Sequence, residues 1–360
     1  MTILGLHHIT LVSSNAQRTT DFYTNALGLR LVKKTVNFDD PGAYHLYFGN
    51  ETGAPGSAIT YFEWADAPKG QPGIGGTHHY ALQVANYDGL LKWKRRLVDL
   101  GIAVDGPFDR HYFKSIYFHD PDGVIIEIAT AEPGWAIDEA SESIGTEHRD
   151  PPAEMLHNNR DNETISKLMW ESPVLYVTPD MALSKGMHHI TAIGSNIQRT
   201  NAFYEGMLGM RRVKMTSNFD DPTSAHWYWG IGEGNPGTII TYFERDPSKT
   251  KRVQMGVGQT HHIAFAVADE EVQLEWRERL IQAGIPVSPV RDRIYFKSIY
   301  TQDPDGHIVE LATAGPGFAV DEDVAHLGEK LMLPSWLERN RAAIEDSLQP
   351  ITMPAWESTT

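Results

Sequence analysis

The chain has 360 residues, of which 41% are hydrophobic and 22% are charged, and its formal net charge is −16. That length predicts about two domains of roughly 100–200 residues each, and the acidic charge argues against a nucleic-acid partner. Cysteine is absent, which excludes disulfides, cysteine–zinc sites and thiol nucleophiles and favours a reducing compartment. The first residues show no basic segment followed by an apolar run, and no run of about 18 apolar residues occurs. We therefore expect a cytoplasmic protein with no membrane partner.

A long internal repeat organises the sequence. The stretch that begins at His7 matches the one that begins at His188, and the stretch from Asp109 matches the one from Asp292. The segment between the two copies is rich in Glu, Asp, Asn and Pro, which predicts a surface linker with one short strand over 173–177. The repeat divides the chain into four parts: a first half, 1–148; a linker, 149–186; a second half, 187–325; and a C-terminal helical tail, 326–360.

The first module of the chain shows alternating and helical patterns in turn. A strand over 8–12 leads into a helix over 15–27, which Asn15 can cap and Gly28 ends. Three strands follow, with the sequences DDPG and GAPG as the turns between them. Their predicted ranges are 29–36, 44–48 and 58–62.

The second module repeats this plan. A strand over 80–84 precedes a helix over 87–100 that Gly101 ends, and two further strands, 115–119 and 124–129, flank a DPDG turn. The second half has the same order of elements. The sequence therefore predicts four βαβββ modules and an α+β fold.

Each of the four modules opens with a pair of adjacent histidines. Neighbouring side chains of a strand point to opposite faces, so we expect one histidine of each pair to face inward and the other to face elsewhere. A hydrogen-bonded or exposed strand end would explain a single pair equally well, but four pairs at four module starts favour a shared role. The pairs are His7-His8, His78-His79, His188-His189 and His261-His262.

One glutamate in the last strand of each half completes this pattern. Glu127 follows His79, and Glu310 follows His262, by 48 residues in both halves. A carboxylate inside an apolar strand is costly unless it is paired with an arginine or bound to a metal. Two imidazoles and one carboxylate form a metal face that leaves coordination positions open for substrate and oxygen. The sequence therefore predicts a metal enzyme built from repeats.

Other polar residues recur near these candidates. Arg110 with Tyr117, and Arg293 with Tyr300, occur at equal positions of the repeated DR-x-YFKSIY segment. An arginine could hold an oxyanion and a tyrosine could donate to a metal-bound oxygen, although both could also be structural repeats. Thr10 lies two residues after His8 on the same strand face and could contact the site.

Two further signals carry less weight. The DPDG tetrapeptides at 120–123 and 303–306 are predicted to be turns rather than calcium loops. Glu63 and Glu244 end their strands, and we expect both on the surface.

The combined pattern resembles the vicinal-oxygen-chelate superfamily, which holds glyoxalase I, bleomycin-resistance proteins and extradiol dioxygenases. The matching features are the four modules, HHIT followed by N-x-Q-R-T-x-x-FY and LG, and DPDG-x-x-x-E. Within the superfamily, the opening segment and DRxYFKSIYxxDPDG look like the hydroquinone ring-cleaving dioxygenases. The resemblance covers about 1–320 and implies two glyoxalase-like domains of open, curved mixed sheets that enclose metal sites. It also implies non-haem Fe(II), whose ligands Mn(II) would equally fit, and O2 as co-substrate.

The resemblance also carries individual residues over. The implied iron ligands are His8, His262 and Glu310, and the residues around them are His7, Thr10, His261, Arg293 and Tyr300. The symmetric second set is His79, His189 and Glu127. This assignment pairs the first module with the fourth and the second with the third, but the sequence leaves pairing within each half equally open. All six residues are predicted ligands under either pairing, and because the second set is intact, each chain could bind two metals.

The function implied is insertion of O2 into a hydroxylated aromatic ring. The implied substrate is a hydroquinone-type diol, whose ring could carry substituents such as chlorine. His261 or His7 could move protons, because imidazole titrates near neutral pH. An extradiol dioxygenase for catechols is the main alternative. The shape of the pocket distinguishes catechol from hydroquinone substrates, and the sequence does not give that shape. A glyoxalase-type isomerase would need a second carboxylate, whose place falls near Ile59 or Thr60, and a non-enzymatic binder would not need complete ligand sets. The acidic surface and the long tail favour a homo-oligomer.

Overall fold

The computed structural model describes residues 1–352 and confirms the α+β fold of four βαβββ modules. The first two modules contain β1 (Gly5–Ser13), α1 (Ala16–Asp21), β2 (Arg30–Asn37), β3 (Asp40–Gly49), β4 (Ala58–Glu63), β5 (Thr77–Val84), α2 (Tyr87–Asp99), β6 (Asp105–Asp109), β7 (Lys114–His119) and β8 (Ile125–Thr130). The linker contains α3 (Asn162–Lys167). The last two modules and the tail contain β9 (Met187–Gly194), α4 (Ile197–Asn201), β10 (Arg211–Ser217), β11 (Ala225–Gly230), β12 (Ile239–Glu244), β13 (Thr260–Val267), α5 (Glu270–Gln282), β14 (Arg291–Asp292), β15 (Lys297–Gln302), β16 (Ile308–Thr313) and α6 (Arg341–Ser347).

The strands form two eight-stranded mixed sheets, and each sheet takes one module from each half of the sequence. One sheet has the order β14-β15-β16-β13-β1-β4-β3-β2, and the other has the order β10-β11-β12-β9-β5-β8-β7-β6. β1 is antiparallel to β13 and β5 is antiparallel to β9, whereas β1 and β4 run parallel. This topology pairs the first module with the fourth and the second with the third, which the sequence left open. The two sheets therefore do not correspond to the two halves of the sequence.

Helix α2 shows how local sequence directs the two faces of a sheet. The Asn86 side chain accepts a hydrogen bond from the backbone of Gly89 and starts the helix. Leu90 and Trp93 lie at helical spacing and are buried in the main hydrophobic core with Leu82 of β5. Because side chains alternate along a strand, His79 of β5 faces the side of the sheet opposite to Leu82.

The first helix begins as predicted and then widens. The Oδ1 atom of Asn15 accepts a hydrogen bond from the backbone of Arg18 at 2.8 Å. The α-helix gives way to a π-helix over Phe22–Ala26, and the chain turns at Gly28, whose φ is +69°. The same widening recurs over Ala202–Met207 in the third module, so it belongs to the repeat.

The predicted strand over 173–177 is wrong. The segment has no neighbouring strand, and its polar groups pair elsewhere: the carbonyl of Leu175 accepts from Arg96 of α2 at 2.7 Å. Val177 of this segment packs against the positive-φ Gly28, where an added Cβ would lie 2.9 Å from its Cγ2 atom. Side-chain packing and hydrogen bonds from arginine therefore attach this linker segment to the fold, in place of β-sheet pairing.

The described part of the tail is helical only in part. A 3-10 turn over Glu338–Asn340 leads into α6, and residues 353–360 of the predicted tail lie outside the described residues. Within 1–352, no helix combines the length and the apolar character needed to span a bilayer.

The DPDG segments are turns, as predicted, and they join modules to each other. Asp122 of the first segment accepts hydrogen bonds from the backbone and the hydroxyl of Ser14 in the first module. Glu63 and Glu244 are not free surface groups: Glu63 accepts from the backbone of Ala16 at 2.8 Å, and Glu244 makes the equivalent bond to the start of α4. Both glutamates end their strands and are partly exposed, and each also satisfies an unpaired N–H group at a helix start.

Candidate metal centres

Three neighbouring strands bring His8, His262 and Glu310 together at one point, which we call the first centre. His8 lies on β1, His262 on β13 and Glu310 on β16. The Oε2 atom of Glu310 lies 2.9 Å from Nε2 of His262 and 3.3 Å from Nε2 of His8, and the two Nε2 atoms are 3.1 Å apart. All three side chains are buried.

The second sheet contains an equivalent group, which we call the second centre. Its members are His79 on β5, His189 on β9 and Glu127 on β8. The Oε2 atom of Glu127 lies 3.0 Å from Nε2 of His79 and 3.2 Å from Nε2 of His189. These two centres are the groups of three metal-binding side chains that meet within the described part of the chain.

Only the second histidine of each pair joins a centre, but the two rings of a pair contact each other and do not point to opposite faces of the sheet. In every pair the Nδ1 atoms of the two rings lie 2.8–2.9 Å apart. The strand register explains this contact: Leu6 pairs with Phe265 and His8 with Ala264, which leaves His7 as an extra residue. The same shift leaves out the first histidine of the other three pairs. A bulge of this kind re-aims the side chain of the extra residue.

The hydrogen bonds of His7 determine which nitrogen of His8 faces the first centre. Nε2 of His7 lies 3.2 Å from the carbonyl oxygen of Thr313 and must donate to it. Burial and the neighbouring His8 lower the pKa of His7 to about 3, so the ring is neutral and its Nδ1 atom can only accept. The Nδ1 atom of His8 therefore carries a proton, and its Nε2 atom presents a lone pair to the centre. His188 makes the equivalent backbone bond to Thr130 beside the second centre.

The donor atoms of both centres fit a divalent cation. Burial disfavours a charge on Glu310, yet His8 and His262 hold the pKa of its carboxyl well below its usual range. The Oε2 atoms of Glu310 and Glu127 are buried and receive no hydrogen bond, which is costly unless another group compensates them. Ligand atoms about 2.1 Å from one ion and at right angles to each other lie about 3 Å apart. The separations within the first centre match that arrangement.

A cavity of about 210 Å³ opens onto the first centre. Its walls are aromatic on several sides and basic or hydroxylic on another, and they include Phe38, Phe62, Phe296, His261, Arg293 and Tyr300. The Nε–H group of Arg293 donates to the hydroxyl oxygen of Tyr300 at 3.3 Å. Burial raises the pKa of Tyr300 above its usual value, so the phenol stays protonated and available as a donor.

Two cavity residues were missed by the sequence reasoning. His45 and Tyr47 line the cavity from β3, and the hydroxyl of Tyr47 lies 2.9 Å from Nδ1 of His45. Nε2 of His45 lies 3.0 Å from the hydroxyl of Thr60, which in turn lies 2.7 Å from that of Thr10. The signal was present in the sequence, because H-x-Y followed by an aromatic residue and glycine recurs at 226–230.

The structure divides the residues predicted around the first centre into two groups. His261, Arg293 and Tyr300 line the cavity. Thr10 is buried against Thr60, and His7 lies behind His8 with both ring nitrogens engaged. These last two positions can support the centre but do not face its cavity.

This combination of modules and centres agrees with one superfamily. The model of the Glyoxalase/Bleomycin resistance protein/Dioxygenase superfamily matches residues 5–128 and 186–311. Because the two matches together cover more than half of the chain, the protein belongs to this superfamily, and the resemblance found in the sequence is confirmed.

Relatives along the whole chain share a narrower class. The chain is 37% identical over 349 residues to "Putative ring-cleaving dioxygenase MhqO" from Bacillus subtilis, which covers 96% of each chain. It is 29% identical to "Chlorohydroquinone/hydroquinone 1,2-dioxygenase" from Sphingobium indicum, over 93% of this chain and 92% of that protein. A crystal structure titled "putative dioxygenase" from Bacillus subtilis superposes with a TM-score of 0.78 and 33% identity, over 98% of this chain and 99% of the other. The expected enzyme class, a ring-cleaving dioxygenase, is thereby confirmed.

Proposed function

We propose that the protein is a non-haem Fe(II) enzyme that opens hydroquinone-type rings with O2 at the first centre. One observation carries this proposal: two imidazoles and a carboxylate with an unsatisfied oxygen lie together beside a cavity that is lined by aromatic residues. His8, His262 and Glu310 would hold the ion. Iron bound there would supply a Lewis-acid position for a ring hydroxyl and a neighbouring open position for O2.

The aromatic walls orient the ring of the substrate. Phe38, Phe62 and Phe296 line the cavity, and an aromatic ring packs well against the faces or edges of others. A flat diol can therefore bind with one hydroxyl toward the ligand triad. The same walls displace water from the ring, which strengthens each polar contact inside the cavity.

The basic and hydroxylic wall holds the oxygen atoms. Arg293 keeps a positive charge beside the centre, and Tyr300, which accepts a hydrogen bond from Arg293, can donate its own proton to a bound oxygen. A deprotonated hydroxyl of the substrate is stabilised by this pair, because charge-assisted hydrogen bonds are the strong ones.

Two further cavity groups can bond the second hydroxyl. Burial lowers the pKa of His45 well below its usual value, so the ring is neutral and its Nδ1 atom can accept the proton of Tyr47. The oxygen of Tyr47 then keeps its lone pairs for a hydroxyl of the substrate. The Nδ1 atom of His261 accepts a hydrogen bond from His262. The Nε2–H group of His261 can therefore donate to a bound ligand or take part in proton transfer.

A glyoxalase-type isomerase is disfavoured by the donor set. That chemistry uses a second carboxylate, and the candidate position is occupied by Thr60, whose hydroxyl bonds to Thr10 and His45. Within the described residues, each centre contains one carboxylate.

Oxygen uptake by anaerobically Fe(II)-loaded protein tests the proposal. Hydroquinone, methylhydroquinone, chlorohydroquinone, catechol and the hemithioacetal of methylglyoxal and glutathione are supplied in separate assays, with Glu310→Gln as the control protein. We expect uptake that matches ring-opened product with a hydroquinone and that is lost in the control. Uptake with catechol alone would assign the protein to the extradiol catechol class, and consumption of the hemithioacetal without oxygen would contradict the proposal.

A further inference from the structure

We propose that the second centre binds a metal ion but admits no aromatic diol, because Arg160 of the linker closes its mouth. This inference rests on the proposed function of the first centre. It gives the two intact ligand sets different tasks: the first carries the reaction, and the second is an enclosed metal site.

The mouths of the two centres differ at one pair of equivalent acids. Asp39 at the first centre and Asp220 at the second occupy the same position of the repeated NFDDP segment. Among residues 1–352, the ion-pair partner of Asp39 is Arg293, at 3.4 Å, and the side chain of Asp39 is 76% exposed. Asp220 accepts from Arg110 at 3.0 Å and forms an ion pair with Arg160 at 2.9 Å. The second mouth therefore contains one cation more than the first.

Arg160 is held in place from several directions. Its guanidinium lies 4.0 Å from the ring centre of Phe108, and its Nε–H group donates to Asn162 at 2.9 Å. The side chain of Arg160 is 9% exposed and that of Asp220 is 43% exposed, so the ion pair lies at the rim of the mouth with its carboxylate open to water. The ring contact, the hydrogen bond and the ion pair together restrain the guanidinium of Arg160.

The space in front of the two centres differs accordingly. The cavity at the first centre measures about 210 Å³ and that at the second about 30 Å³. Phe219 and Asn218 are buried at the second mouth, whereas the equivalent Phe38 and Asn37 are partly exposed. The ion pair between Arg160 and Asp220 thus lies beside the smaller of the two cavities.

The donor that could serve a substrate is also engaged at the second centre. The hydroxyl of Tyr117 donates to Oε1 of Glu127 at 2.9 Å. At the first centre Ser298 makes that bond to Glu310, and the equivalent Tyr300 remains free to donate into the cavity. The hydroxyl of Tyr117 is therefore engaged by the second carboxylate and is not available to orient a diol.

Within residues 326–352, the tail reaches the first mouth through Trp336, which packs against Phe38, and it forms no ion pair with Asp39. Arg341 of the tail follows an asparagine, as Arg160 does in the linker. It donates hydrogen bonds to Glu338, Glu345 and the carbonyl of Leu331. It makes no ion pair with Asp39 among the described residues. Arg341→Ala is consequently a matched control for removal of Arg160.

The test uses proteins that each keep one centre, loaded anaerobically with Fe(II). His262→Ala keeps the second centre, and His79→Ala keeps the first. Iron per chain is measured by elemental analysis, and binding of 4-nitrocatechol, a coloured aromatic diol, is measured by anaerobic absorbance titration. Neither readout requires turnover, so a failure of the proposed reaction is distinguished from a failure of this inference.

We expect about one iron per chain in each single-centre protein and about two in the wild type. His79→Ala should bind 4-nitrocatechol, and His262→Ala should bind it at least tenfold more weakly. Adding Arg160→Ala to His262→Ala should restore binding, whereas adding Arg341→Ala should not.

Three results would overturn the proposal. One is the absence of iron from His262→Ala, with the fold intact by circular dichroism. Another is an equal affinity of the two single-centre proteins for 4-nitrocatechol, or the absence of binding by both. The third is a double variant with Arg160→Ala that holds iron and still excludes the diol.

Discussion

His7 and His8 share one proton between Nδ1 atoms that lie 2.9 Å apart, although the two residues are neighbours in a strand. Since His7 donates from Nε2 to Thr313, it fixes the tautomer and the orientation of a metal ligand without touching the metal position. Partners of this kind are known to tune ligand basicity and metal affinity.

We expect His7→Phe to lower the iron affinity of the first centre by about 10–100-fold. Phenylalanine fills similar space but cannot accept from His8. His7→Gln should recover most of the affinity, because its amide can accept from His8 and donate to Thr313 at once. Competition with a coloured chelator measures the affinity, and an equal loss in both variants would rule out the orienting role.

Arg293 should be sensitive even to lysine. Its guanidinium donates to Tyr300 and lies 5.6 Å from the centre of that ring, a combination that an ammonium group cannot reproduce. We expect Arg293→Lys to raise the KM for the hydroquinone about tenfold without changing the iron content. Arg110→Lys is the matched control, since the equivalent arginine lies at the sealed centre. A similar KM change in both variants would contradict this assignment.

Tyr47→Phe should weaken catalysis while leaving the metal in place. The change removes the oxygen that is positioned by His45 and faces the cavity, a neutral hydrogen bond worth about 1 kcal/mol. We therefore expect kcat/KM to fall about fivefold to tenfold. Tyr228→Phe, at the equivalent position of the other sheet, should have no effect on oxygen uptake. An unchanged kcat/KM in Tyr47→Phe would remove that residue from the site.

Asp120 gives a pH-dependent stability that does not involve the centres. Burial raises the pKa of its carboxyl to about 6, above the value in the unfolded chain. The folded state therefore binds more protons between about pH 4 and pH 6, and the contribution of Asp120 to the unfolding free energy decreases as the pH rises through that window.

Asp120→Asn should lose this dependence, because an amide does not titrate there. Relative to the wild type, the variant should gain up to about 2 kcal/mol in unfolding free energy between pH 4.5 and pH 7.5. Urea unfolding at the two pH values measures the difference. A wild type and variant that change in parallel would show that Asp120 does not titrate in this range.

Sequence reasoning reached the ligand residues because they combine two strong signals. Histidine pairs recur at module starts, and a carboxylate stands inside an apolar strand, as at Glu310. Both signals are local or follow from a fixed spacing, so the four modules and the six candidate ligands could be read without a structure.

The arrangement of these residues in space could not be read in the same way. Strand pairing such as that of β1 with β13 depends on contacts between distant segments, and identical modules satisfy either pairing equally well. The bulge at His7 depends on the register against Phe265 and Ala264, which alternation within one strand cannot reveal. His45 was missed because a histidine in a strand has many roles, and only its contact with Tyr47 and Thr60 shows its place.

The pairing of the first module with the fourth orders events during synthesis. The second centre has all its ligands once residue 189 has been made, and its sheet is complete with β12. The first centre joins His8 to His262, which is 254 residues later in the chain. The first strand, β1, therefore cannot pair with β13 until most of the chain has been synthesised. We expect any chain that ends before Glu310 to lack the reactive centre, however well its inner sheet has folded.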